Sequence, residues 1–448
     1  MTALADLWRV MNWSHTILSR GIPALAAFVA AGMLVFVWQA GGTSTPVPMR
    51  VPATGRGGPD AESAISPFEE ARLSTSDGVA AELPGSWPGF RGAERDGISR
   101  DETSLADKWD SGGPRELWAV DVGEGYAGAA VFGGRVYLMD YDREAQADAL
   151  RCLSLADGSE IWRFSYPLAV KRNHGMSRTV PVVTQDHVVS LGPKGHVACL
   201  DPVTGAFKWG IDLVRDHGTV VPPWYAGQCP LIEGGRVILA PAGESLMIAV
   251  DCESGEILWK TPNPHGWKMT HVSVAPIEVG GMRQYVYCGH RGIAGVAADD
   301  GRLLWESSEW KISIATVSTP VPMPDGRLFL SGGYKAGSMM LQLREDGGQW
   351  SAESLYRLDA DTFGATQQTP IHFDGHLYGV RPNGELVCLD PDGSILWTSG
   401  PEHRFGLGPF VVADGKILVM DDQGEFTMAV ANPDGFRTLG TGGIIDGH

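Results

Sequence analysis

Basic residues are in short supply: 35 Lys and Arg against 53 Asp and Glu leave a formal charge of −18 over 448 residues. That balance argues against a nucleic-acid partner, because binding a phosphate backbone rests on a basic footprint. Cysteine is sparse too. There are six, no two adjacent, and the first is Cys152, so no N-terminal cysteine is available for lipid attachment. His174, His265, His271 and His403 are scattered through loops with no two at ligand spacing, and no metal site is expected. No serine or cysteine has the setting of a nucleophile beside a base, so no catalytic residue is assigned.

Charge is missing altogether from residues 21–41, GIPALAAFVAAGMLVFVWQAG, between Arg20 and Arg50. About twenty apolar residues match a bilayer core, so the stretch is expected to be a transmembrane helix acting as signal anchor. Residues 1–20 then form a cytoplasmic tail, with Arg9 and Arg20 favouring that side. The remainder would lie in the periplasm of a bacterium, held at the inner (cell) membrane by a single pass. The competing reading is a cleaved signal peptide and a secreted protein, since Ala40-Gly41-Gly42 offers small residues at a cleavage site. Residues 42–85 are rich in Pro, Gly, Ser and acids without sustained period and read as a disordered linker. The folded part is expected over 86–448.

Glycine (59), proline (29) and tryptophan (15) are what the chain has in quantity, and they recur at intervals. HVACLDPVTGAFKW (196–209) and MIAVDCESGEILW (247–259) share an apolar run, then Asp, three residues, Gly, three residues, Trp. LSLADGSEIW (153–162), VAADDGRLLW (296–305) and LDPDGSILW (389–397) are variants, and QLREDGGQWSAESLYR is a degenerate copy. Trp162, Trp209, Trp259 and Trp305 follow one another at 47, 50 and 46 residues, the period of a four-stranded propeller blade. The Asp side chain bonds its own backbone two residues on, and the Gly turns the chain back. A second signal has the same period: tight pairs at 133–134, 185–186, 234–235, 280–281, 325–326, 374–375 and 414–415, mostly Gly-Gly or Asp-Gly between apolar runs. Two hairpins per unit give four strands. The fold class is all-β, a β-propeller of seven blades or, if Trp118 marks a separate blade, eight. RELWAV (115–120) reads as an orphan strand, and ring closure is expected from one terminus lending a strand to the blade begun by the other.

This repeat resembles that of the PQQ-like (quinoprotein-type) β-propeller family, and SWPGFRGAERDGIS (86–99) resembles the entry segment of many bacterial members. The resemblance implies that Trp162, Trp209, Trp259, Trp305 and Trp397 dock each blade on the next. Its dehydrogenases carry a vicinal Cys-Cys over the quinone, a calcium ion and a catalytic Asp; its barrel-assembly members are lipoproteins. This chain has neither the Cys-Cys pair nor the lipid-bearing cysteine. No cofactor is therefore expected, and PQQ with calcium enters only under the alternative of a quinoprotein-like oxidoreductase using the channel mouth.

Cys152, Cys199 and Cys388 share one slot of the repeat, too far apart between neighbouring blades for a disulfide, and read as small core residues. GEGYAG (123–128) leads into a hairpin and not a helix, which weakens a phosphate-loop reading. Asp140, Asp142 and Glu144 read as an exposed loop. Each innermost strand is expected to begin near a proline (Pro181, Pro230, Pro276, Pro320, Pro370, Pro409), so the residues before them should crowd one mouth of the central channel. There His174, Arg178, Trp224, Tyr225, Gln228, Lys268, His271, Gln367, Gln368 and Arg404 form the candidate ligand-binding set, for a protein, peptide or saccharide partner. The function expected is a non-enzymatic binding or scaffold module.

Overall fold

Six of the seven tight pairs place both of their residues at positive φ, from 48° at Asp374 to 79° at Gly375, in the computed structural model of the chain. A two-residue turn with both residues in the left-handed region matches the twist of antiparallel strands. The structure describes residues 66–109 and 112–445. Among them, seven antiparallel sheets follow in chain order, at 130–167, 182–212, 231–262, 275–307, 321–358, 371–398 and 410–443. Each contributes four consecutive strands, and we number them blades 1 to 7. The first strand of each blade lies beside its counterpart in the next for blades 1–2, 2–3, 4–5, 5–6 and 6–7, which makes these the inner strands around a common axis.

The indoles lie where the blades meet. Trp162 Nε1 donates to the Pro202 carbonyl of blade 2 (3.2 Å), Trp209 Nε1 to Cys252 of blade 3 (2.8 Å), and Trp397 Nε1 to Asn432 of blade 7 (2.8 Å). A Cβ on Gly205, Gly255 or Gly301 would fall within 3 Å of Trp162, Trp209 or Trp259 respectively, so the repeat glycine also leaves room for the neighbouring ring. Trp305 differs: its Nε1 bonds Gln284 of its own blade (2.9 Å). In the degenerate fifth blade Tyr356 takes over, donating from its hydroxyl to Pro391 of blade 6 (2.9 Å).

Ring closure meets the expectation in part: an N-terminal strand, Ile98–Ser99, joins the sheet of blade 7, but as a fifth strand. Blades 1 and 7 each supply all four of their own strands, and residues 115–120 form no strand. Instead Trp118 takes the indole slot on blade 1, donating to Leu155 (3.0 Å) and packing on Gly158. Residues 87–99 then bridge the inner edges. Trp87 exchanges two 2.8 Å backbone bonds with Val131 of blade 1, and Ile98–Ser99 pairs in parallel with blade 7 at Val412 and Ala413.

Part of the stretch read as linker is ordered: Pro67–Glu70 makes a 3-10 turn, and Arg72–Thr75 pairs antiparallel with the outermost strand of blade 1, covering its open edge. Asp140 is likewise not on an exposed loop. It sits in a strand, 7% exposed, bound by Arg151 (3.1 Å) and by the Gly123 amide (2.6 Å). All six cysteines are free and buried, and burial pushes the Cys152 and Cys199 thiols up to about 12. The inner-membrane, single-pass location is corrected. No helix among the described residues is long and apolar enough to cross a membrane, and the apolar stretch 21–41 lies outside them.

Candidate functional site

The loops that precede the inner strands of blades 1 to 4 meet at one end of the channel. The 123–128 loop pairs with the 174–178 loop, Tyr126 N donating to Ser177 (2.7 Å) and Met176 N to Glu124 (3.1 Å). Asn173 Nδ2 bonds the Pro223 carbonyl (2.6 Å), and the Tyr225 hydroxyl bonds the Lys171 carbonyl, which joins the blade 2 loop to the blade 3 loop. His271 N reaches Thr316, tying in blade 5 (3.1 Å). Loops joined in this way form a rigid rim.

Arg178 is at the centre of this rim. One guanidinium nitrogen donates to the carbonyls of Asn173 (2.9 Å), His174 (2.6 Å) and Gly175 (3.3 Å). Its Nε is buried without a partner, and no carboxylate bonds it among the described residues. The guanidinium carbon stands 5.4 Å from the centroid of the Tyr126 ring, a cation–π distance. His271 lies close enough to feel this charge. Burial, and then Arg178, push its pKa down to about 4, so the imidazole is neutral near pH 7. Trp224 tilts against His271 with ring centroids 6.4 Å apart, and Gly227 packs so closely on His271 that a Cβ would fall 2.9 Å from Nδ1. His174 and Tyr225 both hold positive φ, 53° and 69°, strain of the kind that clusters at binding loops.

The rest of the candidate set is divided. Gln228, 0% exposed, has its amide taken up at both ends by the Ala240 backbone, and Gln368 donates to Gly406 and Gly408. Gln368 thereby ties the blade 6 loop to the blade 7 loop, while Gln228 closes on its own blade 3. Lys268, Gln367 and Arg404 are exposed, with no hydrogen bond or ring contact to Arg178, His271 or Trp224 among the described residues. Tyr126 joins the site although the sequence reading omitted it; its position in GEGYAG, before the first inner strand, was the available signal.

A second feature was not foreseen. Residues 87–99 do more than bridge blades 1 and 7: they enter the channel. Pro88 accepts from Val183 of blade 2 (2.8 Å). Arg91 reaches the carbonyls of Thr369 (2.8 Å) and Pro370 (3.0 Å) at the start of blade 6, and Arg95 those of Pro230 (3.0 Å) and Cys229 (3.3 Å) at blade 3. The segment is a plug tied to five blades.

Residues 146–391, more than half of the chain, match the family model described as outer membrane protein assembly factor BamB. No curated protein matches the sequence. Among solved structures, the quinohemoprotein alcohol dehydrogenase ADHIIG from Pseudomonas putida HK5 superposes with a TM-score of 0.52 at 14% identity, over 81% of this chain and 73% of that one. BamB from Moraxella catarrhalis gives 0.48 at 14% identity, over 71% and 88%. At such identity the likeness to the dehydrogenase shows the fold alone. The chain belongs to the PQQ-like β-propeller family of outer membrane protein assembly factor BamB.

Proposed function

We propose that the protein is a non-enzymatic binding module whose rim, centred on Arg178, takes up a carboxylate-bearing segment of a protein partner. The observation that carries this reading is the Arg178 guanidinium, held by carbonyls and an aromatic face with no acid of its own. A carboxylate is the group that complements such a cation, and the flanking rings of Tyr126 and Trp224 favour a peptide over a bare ion. Membership of an assembly-factor family supports a protein as the partner. The quinone-dependent alternative lacks comparable support. All six cysteines are free and buried, and no two are adjacent in the sequence.

The test places a photo-crosslinking residue at Trp224 in the full chain and repeats the experiment with Arg178→Ala. One dominant protein adduct, reduced about 10-fold or more by Arg178→Ala, is expected; loss of a charge-assisted contact is worth roughly 1.5–3 kcal/mol. Adducts indifferent to Arg178→Ala, or measured turnover of an alcohol or sugar by the protein supplied with quinone and calcium, would overturn the reading.

A further inference from the structure

The plug fills the channel unevenly. It is bonded to blades 1, 2, 3, 6 and 7, and on the side of blades 4 and 5 it leaves a cavity of about 540 Å³. That volume lies within the range of small-molecule sites. The wall includes Arg91 and Arg95 of the plug, Arg100 just after it, Thr319 and Val321 of blade 5, and His372 of blade 6. In a chain of net charge −18, a wall with three arginines is out of keeping with the rest of the molecule.

Arg100 is paired with Asp96, but neither Arg91 nor Arg95 has a carboxylate bonded to it among the described residues. Arg91 donates only to backbone carbonyls, and so does Arg95. Of the two acids on the wall, Asp96 is engaged by Arg100 (2.5 Å) and by the Ile98 amide, while Glu94 is exposed. Arg95 is 9% exposed, and its Nε is buried without a partner; Thr319 Oγ1, on the blade 5 part of the wall, is also buried without one. Both Arg91 and Arg95 hold positive φ, 63° and 57°, a cost for residues with a side chain. Burial depresses both guanidinium groups to about 10. A buried cation without a counter-ion costs several kcal/mol and an unpaired hydroxyl about 1–3. A trapped water would satisfy Thr319 but would leave the charge standing.

We propose that this cavity binds a small organic anion, its oxyanion group accepting from the plug arginines and from Thr319. The site is separate from the rim at Arg178, so its failure would leave the rim reading intact. The shared chemistry is an oxyanion, carboxylate or phosphate, and the two are told apart by titrating the full chain with succinate and with inorganic phosphate. Uncharged 1,4-butanediol serves as control, and calorimetry and the thermal midpoint are the readouts. Saturable one-site binding by at least one anion, with the diol inert, is expected, and the anion that binds identifies the group. Thr319→Val, close in volume, is expected to weaken binding about 5-fold or more, and Arg95→Gln about 10-fold or more. If neither anion saturates at millimolar concentration, or if affinity is unchanged in a folded Arg95→Gln, the proposal fails. Should Arg95→Gln not fold, Thr319→Val decides alone: unchanged affinity overturns the site.

Discussion

Asp148 is fully buried in blade 1, where the Tyr166 hydroxyl donates to its Oδ2 (2.5 Å) and Oδ1 has no partner. Burial raises its pKa to about 7, the Tyr166 bond opposing and nearby Asp140 reinforcing the shift. A folded-state pKa above the unfolded value stabilises the fold below about 4, and that contribution is lost as pH rises through 7. Asp148→Asn keeps an acceptor for Tyr166 without the charge. It should raise stability at pH 8, by up to ~4 kcal/mol on the scale of 1.36 per pKa unit, and flatten the decline between pH 4 and 7; denaturant titrations across that range check both. His271 acts in the opposite sense. Its pKa is lowered to about 4, so its contribution is present above about 6.5 and lost as pH falls through 4. Partner binding at Arg178 should therefore gain nothing from His271 between pH 7 and 5, and crosslinking yields at the two values test this.

At the scale of elements, turn and wedge act together. The Asp–x3–Gly turn of one blade receives the indole of the blade before it, so one sequence motif builds both the hairpin and the joint. Trp162→Ala, at a site 1% exposed, is expected to cost about 3–5 kcal/mol. Trp162→Phe should retain most of the packing and lose mainly the bond to Pro202, about 1 kcal/mol; urea midpoints of the two variants separate the contributions. These joints were legible in the sequence because each repeat carries its turn and its indole together: Asp201, Gly205 and Trp209 lie within nine residues, although Trp209 docks on the next blade's turn. Trp118 and Tyr356 were not recognised as wedges, since neither follows a Gly at the four-residue spacing of the repeat and each is identified only by what it touches. The rim was half legible. Proline spacing located the loops before the inner strands, but nothing local separates Arg178, which is left without an acid, from Gln228, which is consumed by the Ala240 backbone.

At the scale of the whole molecule, closure rests on a segment with no repeat character. The plug has no periodic pattern to betray it; its signals are glycines with positive φ at 92 and 97, set among arginines. Val131, Val183 and Val412 each donate a backbone amide to it, at Trp87, Pro88 and Gly97. Arg91 holds the plug in place through four carbonyls, those of Arg95, Asp96, Thr369 and Pro370. Only a planar fork spreads donors this way, so Arg91→Lys should fail to substitute and should resemble Arg91→Ala. Both variants are expected to speed hydrogen exchange at Val131, Val183 and Val412. Val237, paired inside blade 3, should keep its protection, because its partners lie within one sheet. Exchange at Val412 unchanged in Arg91→Ala would mean that the two ends of the ring are held by the strand Ile98–Ser99 alone. Faster exchange confined to the three plug-bonded amides would establish that a single guanidinium keeps the ring shut.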